Sequence, residues 1–136
     1  MAANSRMASA VQILCVMAYL GDGTTSPVIA NSLRTNPVVV RRLLKSLERS
    51  GLVELRPGKD GGVQFAQSPD DITLEQVFTA VETDTDVFAL RRGGNTNCPV
   101  NKSMKRLLEP IFSSACDAVG AILRQTTIGS LTQSIT

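Results

Sequence analysis

Two dipeptides of one kind, Ser26-Pro27 and Asn36-Pro37, stand ten residues apart and constrain this chain more than any other feature. Each sets a side chain that can cap a helix directly before a proline. Proline's fixed φ suits the first helical position, and its missing N–H is one the helix would leave unpaired anyway. The first start opens a short second helix with Val28, Ile29, Ala30 and Leu33 as its buried side, ending near Arg34-Thr35. The next opens a third helix, VVVRRLLKSLERS, which Gly51 terminates. So short a turn forces the two helices to pack at a steep angle, as in a helix-turn-helix.

The third helix divides into faces. Val40, Leu43, Leu44 and Leu47 form an apolar stripe, while Val38, Arg41, Arg42, Lys45 and Arg49 form the opposite side. The following run LVELRPGKDGGVQF reads as two short strands around the breaker cluster 57–62, a β-hairpin with a basic tip. Upstream, Met7, Ala10, Val11, Leu14 and Ala18 predict a first helix over 5–20 ending at Gly21. Downstream, Thr73 with Gln76 forms a capping box for a fourth helix marked by Leu74, Val77, Phe78 and Val81. Residues 83–99 read as an irregular connector. Beyond it Met104, Leu108, Ile111, Ala115, Ala118 and Ile122 step by four and three, the spacing of a seam between helices, interrupted by Pro110 with a kink or two abutting helices expected.

The fold class is therefore mostly α with a small β-hairpin: a winged helix-turn-helix domain over 1–82, a connector over 83–100, and a long C-terminal dimerisation helix or helices over 101–136. The net charge of +2 conceals a segregation. From Arg34 to Lys59 there are seven basic residues against two acidic, and from Ser68 to Leu90 six acidic and no basic. A concentrated basic stretch suits a polyanion, because each neutralised phosphate releases condensed counterions. On helix-turn-helix geometry Arg41 and Arg42 are placed for guanine edges, and Val38 and Val39 for thymine methyls. Lys45, Arg49, Arg34, Arg56 and Lys59 suit phosphates, with Thr35 and Asn36 anchoring the helix start. Double-stranded DNA is favoured over RNA, since Phe65 is the only aromatic between residues 20 and 77.

Histidine is absent, which removes histidine-based acid/base chemistry, the usual nucleophilic triads and most catalytic metal sites, so no enzyme is expected. No apolar run approaches the roughly 18 residues of a membrane span, and no signal cleavage pattern follows the first apolar stretch, so a cytoplasmic protein is expected. The three cysteines, Cys15, Cys98 and Cys116, are far apart and form no CxxC pair. Cys15 and Cys116 lie beside apolar stripes, where reduced cysteine acts as a small hydrophobe. Cys98, in a polar loop near Arg91, Arg92 and Lys102, is the candidate exposed thiol sensor.

The run TNPVVVRRLLKSLERSGLVELRPGKDGGVQFAQSPDDITLEQVFTAVE resembles the winged-helix region of the Rrf-two (Rrf2) family of bacterial transcriptional regulators. The opening NSRMASAVQIL and the closing TTIGSLT extend the likeness over nearly the whole chain. The resemblance implies a homodimer whose long C-terminal helices cross and hold two recognition helices over a palindromic operator, here with the seam from Met104 to Ile122. Cluster-binding members carry three cysteines grouped between the fourth and fifth helices, followed by a histidine or another ligand. This chain departs from that: only Cys98 falls there, in NCPVNK, and Asn101 stands where the histidine would be. One thiolate does not hold a cluster that takes four protein ligands, so no iron–sulfur cofactor and no metal are expected. The reading is a dimeric repressor, open to an oxidant or small-molecule signal. The alternative is a winged-helix interaction module turning its basic face to an acidic partner.

Overall fold

The computed structural model describes residues 5–21, 23–58, 61–82 and 86–135. Its elements run α1 (Arg6–Leu20), α2 (Ser26–Leu33), α3 (Pro37–Arg49), β1 (Val53–Arg56), β2 (Gly62–Phe65), a 3-10 turn (Pro69–Asp71), α4 (Leu74–Val81), α5 (Pro99–Arg124) and α6 (Ile128–Gln133). The mostly helical fold with one small hairpin is the architecture read from the sequence.

α1 is the axis of the core. It packs against α2, α3, α4 and α6, and buries Ala10, Ile13, Leu14 and Met17. The expected stripe of Met7, Val11 and Ala18 is only partly buried and forms its rim. The burial is rotated because α1 is covered from several sides, whereas the stripe was drawn for a helix with one covered face.

α2 begins one residue earlier than its proline suggests. Thr25 is the N-cap, without a side-chain capping bond, and Ser26 is already helical. Val28, expected inside, is 45% exposed, while Ile29 and Ala30 are buried. Arg34 closes the helix in the left-handed region, φ 48°, and its N–H reaches back to the Asn31 carbonyl at 3.3 Å.

α3 is built as its sequence says. The Asn36 side-chain oxygen accepts from the Val38 N–H at 2.8 Å, and Pro37 opens the first turn. Val40, Leu43, Leu44 and Leu47 are all buried. At the far end Gly51, φ 77°, donates to the Glu48 carbonyl at 2.9 Å and Leu52 donates to Leu47 at 3.0 Å. That pair of bonds is a Schellman motif, which turns the chain directly into the wing.

The wing is an antiparallel pair with Val53 opposite Phe65 and Arg56 opposite Gly62. Both outer edges are tied down. The Val63 N–H donates to the Thr24 carbonyl at 2.9 Å, and the Leu55 N–H donates to the Glu48 carboxylate at 3.0 Å. Gly62 is required here: it sits at φ 151°, and a β-carbon on it would lie 2.9 Å from the Gly23 carbonyl oxygen.

The capping box of α4 is present, with Thr73 and Gln76 each accepting from the other's N–H, at 3.2 and 3.0 Å. α5 then runs as one helix of 26 residues, about 39 Å at 1.5 Å per residue. Of the kink or two abutting helices expected at Pro110, the structure has no break, and one helix continues through it. Pro110 and Arg106 are both exposed, so water can take the Arg106 carbonyl that proline leaves unpaired.

Residues 101–136 do not act as one unit. α6 turns back onto α1 and the 3-10 turn, buries Ile128 and Gly129, and is started by a capping box between Thr127 and Ser130. The Ile128 N–H donates to Ile72 at 2.9 Å, and Leu74 donates to Thr126 at 3.0 Å. The chain's last segment therefore completes the core of the first half.

Candidate nucleic-acid interface

The buried stripe of α3 fixes what the other side of the helix presents. Val38 and Val39 are 48% and 40% exposed, and Arg41, Arg42, Lys45 and Arg49 are exposed as well. Arg49 donates to the Ser46 hydroxyl at 3.2 Å and so lies along the helix. At the start of α3, Arg34 and Asn36 are exposed and Thr35 is half-buried. The Asn36 oxygen is committed to its cap, which leaves its amide N–H groups as the available donors.

Between α3, the start of α2 and the wing lies an open groove of about 430 Å³. Arg41 and Lys45 line it from α3, Arg56 from the end of β1, and Thr25 and Ser26 from the start of α2. Arg56 is 3.9 Å from Glu54, with both side chains about 60% exposed, a pair that solvent screens to little. Lys59, expected at the wing tip, lies outside the described residues. Sequence reasoning passed over Thr25 and Ser26, whose place in the groove follows from tertiary packing. It also passed over Glu48, whose bond to Leu55 joins the charged helix to the wing.

α5 presents the second surface. None of its residues is buried. Phe112, Val119 and Leu123 are half-buried on one side, with Phe112 stacked 5.3 Å from Phe88 of the connector. The Arg124 guanidinium binds Glu75 of α4 through two hydrogen bonds, of 2.9 and 2.5 Å, and holds the Glu75 carboxyl below the usual carboxylate range. Of the predicted seam, Met104, Ile111, Ala118 and Ile122 are exposed, Ile111 and Ile122 by 62% and 65%, while Leu108 and Ala115 are half-buried at its edge. Val100 and Leu107 extend the exposed apolar face.

None of the three cysteines forms a disulfide. Cys98 is the N-cap residue of α5 and is half-buried rather than fully exposed. Cys15 sits under α6, where burial pushes its thiol up against the opposing effect of a hydrogen bond with Thr132.

A match over residues 3–134 identifies the family model as Rrf2, iron-dependent transcriptional regulator. The chain belongs to the Rrf2 family. It is 37% identical over 111 residues to the "Putative HTH-type transcriptional regulator YwnA" of Bacillus subtilis, covering 82% of each chain. A solved structure described as "a putative DNA binding protein" is 30% identical, with a TM-score of 0.74 over 93% of this chain and 98% of that one. CymR, the global cysteine regulator of B. subtilis, shares the fold at 21% identity, with a TM-score of 0.72 over 100% of this chain and 99% of its own. The family model and the name of the YwnA relative both describe transcriptional regulators. Within the described residues no helix is long and apolar enough to cross a membrane.

The family description names iron, and the residues of this Rrf2 chain do not fit an iron centre. Cys98 and Cys116 are 18 residues apart on one helix, about 27 Å at 1.5 Å per residue, and Cys15 is on α1 beneath α6. No group of three metal-ligating side chains occurs among the described residues.

Proposed function

We propose that this Rrf2 protein is a homodimeric repressor that binds a palindromic DNA operator. The observation that carries the proposal is the division of α3: four buried aliphatics fix the helix to the core, while Val38, Val39, Arg41 and Arg42 stand outward at its first two turns. In a helix-turn-helix those N-terminal positions meet the base edges of the major groove. Val38, Val39, Arg41 and Arg42 read sequence, and Lys45, Arg49, Arg34, Thr35, Asn36, Arg56 and Lys59 hold phosphates. The groove supports the anchoring role of Lys45 and Arg56, since it brings the two together from α3 and the wing, where a phosphate backbone passing between helix and wing would run.

The unburied α5, with its apolar face of Met104, Leu108, Ile111, Ala115, Ala118 and Ile122, supports pairing with a second copy. Two copies then present two α3 helices to half-sites about 34 Å apart, one turn of DNA. A small rotation at that seam changes the half-site match and so relays a signal. Cys98 is the candidate sensor because it stands at the joint between connector and α5, where an oxidised thiol would disturb that seam.

Selection of bound duplexes from a random pool, with and without oxidant, tests the reading. Salt-dependent enrichment of a two-fold site is expected, lost in Arg41→Ala and Arg42→Ala proteins that keep their helicity. No salt-dependent binding would end the proposal. Identical selection by Cys98→Ser in both conditions, with no oxidant effect on the parent, would remove the thiol signal alone.

A further inference from the structure

Five cations cluster outside the helix-turn-helix and wing: Arg91 and Arg92 in the connector, and Lys102, Lys105 and Arg106 in the first turns of α5. All are exposed, none is in an ion pair among the described residues, and the one acidic residue between 87 and 110 is Glu109, which follows on the same face of α5. Positions 102, 105 and 106 are i, i+3 and i+4, so these side chains share one face, with neighbouring β-carbons about 5–6 Å apart. At about 100° per residue that face is roughly opposite the apolar stripe of Val100, Met104, Leu107 and Ile111. The connector folds back on the same turn, for a β-carbon on Gly94 would overlap the Asn101 amide oxygen. The segment bearing Arg91 and Arg92 is thus brought to the start of α5.

We infer that this cluster is a second contact surface for the phosphate backbone of duplex DNA, outside the footprint of α3 and the wing. It rests on the DNA-binding reading above. Five cations against the single carboxylate of Glu109 leave a positive excess, which a polyanion neutralises best. An acidic segment of a second copy is the competing occupant, and three of its groups are already engaged. Glu75 is held by Arg124, Glu82 by Arg6, and Asp86 has a partner of its own. The Asp70 carboxylate is packed against Gly129. A single strand is disfavoured because the cluster has one nearby aromatic, Phe88, already packed at a tilt against Phe112, rather than a row of rings on which successive bases could stack.

The test uses the full-length protein and its selected site, once in a duplex with about ten flanking base pairs on each side and once trimmed to the half-sites. The slope of log K against log salt is measured for the parent, for Lys102→Ala/Lys105→Ala/Arg106→Ala, and for Arg91→Ala/Arg92→Ala. Each lost phosphate contact lowers the slope magnitude by about 0.9, so the triple variant, which removes three cations from each protomer of the dimer, should lose up to roughly five on the flanked duplex. Base preference should be unchanged, and the difference should vanish on the trimmed duplex. A parental slope on the flanked duplex, in variants of parental helicity and sedimentation, overturns the inference. A changed oligomeric state at unchanged slope overturns it too, assigning the cations to a protein contact. If the parent itself shows no salt-dependent binding, the DNA reading falls first.

Discussion

Replacing Glu48 separates two jobs that one carboxylate performs. Its oxygen accepts from the Leu55 N–H at 3.0 Å on the outer edge of β1, so the wing is tied to the helix that carries Arg41 and Lys45. A hydrogen bond to an ionised acceptor contributes about 1.5–3 kcal/mol net, and an exposed one is diluted by water toward about 1 kcal/mol. Glu48→Ala hands that N–H to solvent, which makes local opening of the β1 edge easier by about fivefold, since about 1.4 kcal/mol is a factor of ten. Glu48→Gln keeps an acceptor and removes only the charge. Amide exchange at Leu55, followed by NMR, should therefore quicken about fivefold in the alanine protein and stay near parental in the glutamine protein. DNA affinity should move differently: Glu48→Gln binds more tightly, because an anion has left the basic face, while Glu48→Ala offsets that gain with a looser wing. Equal Leu55 exchange in all three proteins would refute the reasoning.

Leu47→Ala deletes a wholly buried side chain behind the charged face and should cost about 2–5 kcal/mol, read as a fall of roughly 10 °C in the thermal midpoint. The Glu75 carboxyl is held below its ordinary value of 4.5 by Arg124, so its contribution is present above that value and is lost as pH falls through the lower folded-state value. Stability measured by denaturant titration between pH 5 and about 3 should fall less steeply in Glu75→Gln than in the parent; equal slopes would contradict the assignment. The Cys15 thiol, raised by burial, should alkylate slowly at neutral pH and faster once Ile128→Ala loosens α6 from the core, as mass spectrometry would show.

Local sequence was decisive where a structure depends on neighbours in the chain. Asn36-Pro37, the aliphatics of α3 and Gly51 specify that helix from cap to Schellman turn, because each device acts within about one helical turn. The Thr73 and Gln76 box was readable for the same reason, and so was the hairpin around 57–62. The departures came where long-range contacts decide. α1 buries Ile13 and Met17 beyond its drawn stripe because four helices surround it, and Val28 is exposed because only part of α2 reaches the core.

The sequence by itself thus determined the helix-turn-helix, its charged outer face and the wing, and with them the residues proposed to contact DNA. Tertiary structure alone decided that α6 belongs to the core, that Glu48 fastens the wing, and that Arg41, Lys45 and Arg56 meet across one groove. The reason is separation along the chain. Ile72 and Ile128 are 56 residues apart, and a hydrogen bond between them leaves no periodic signal in either segment.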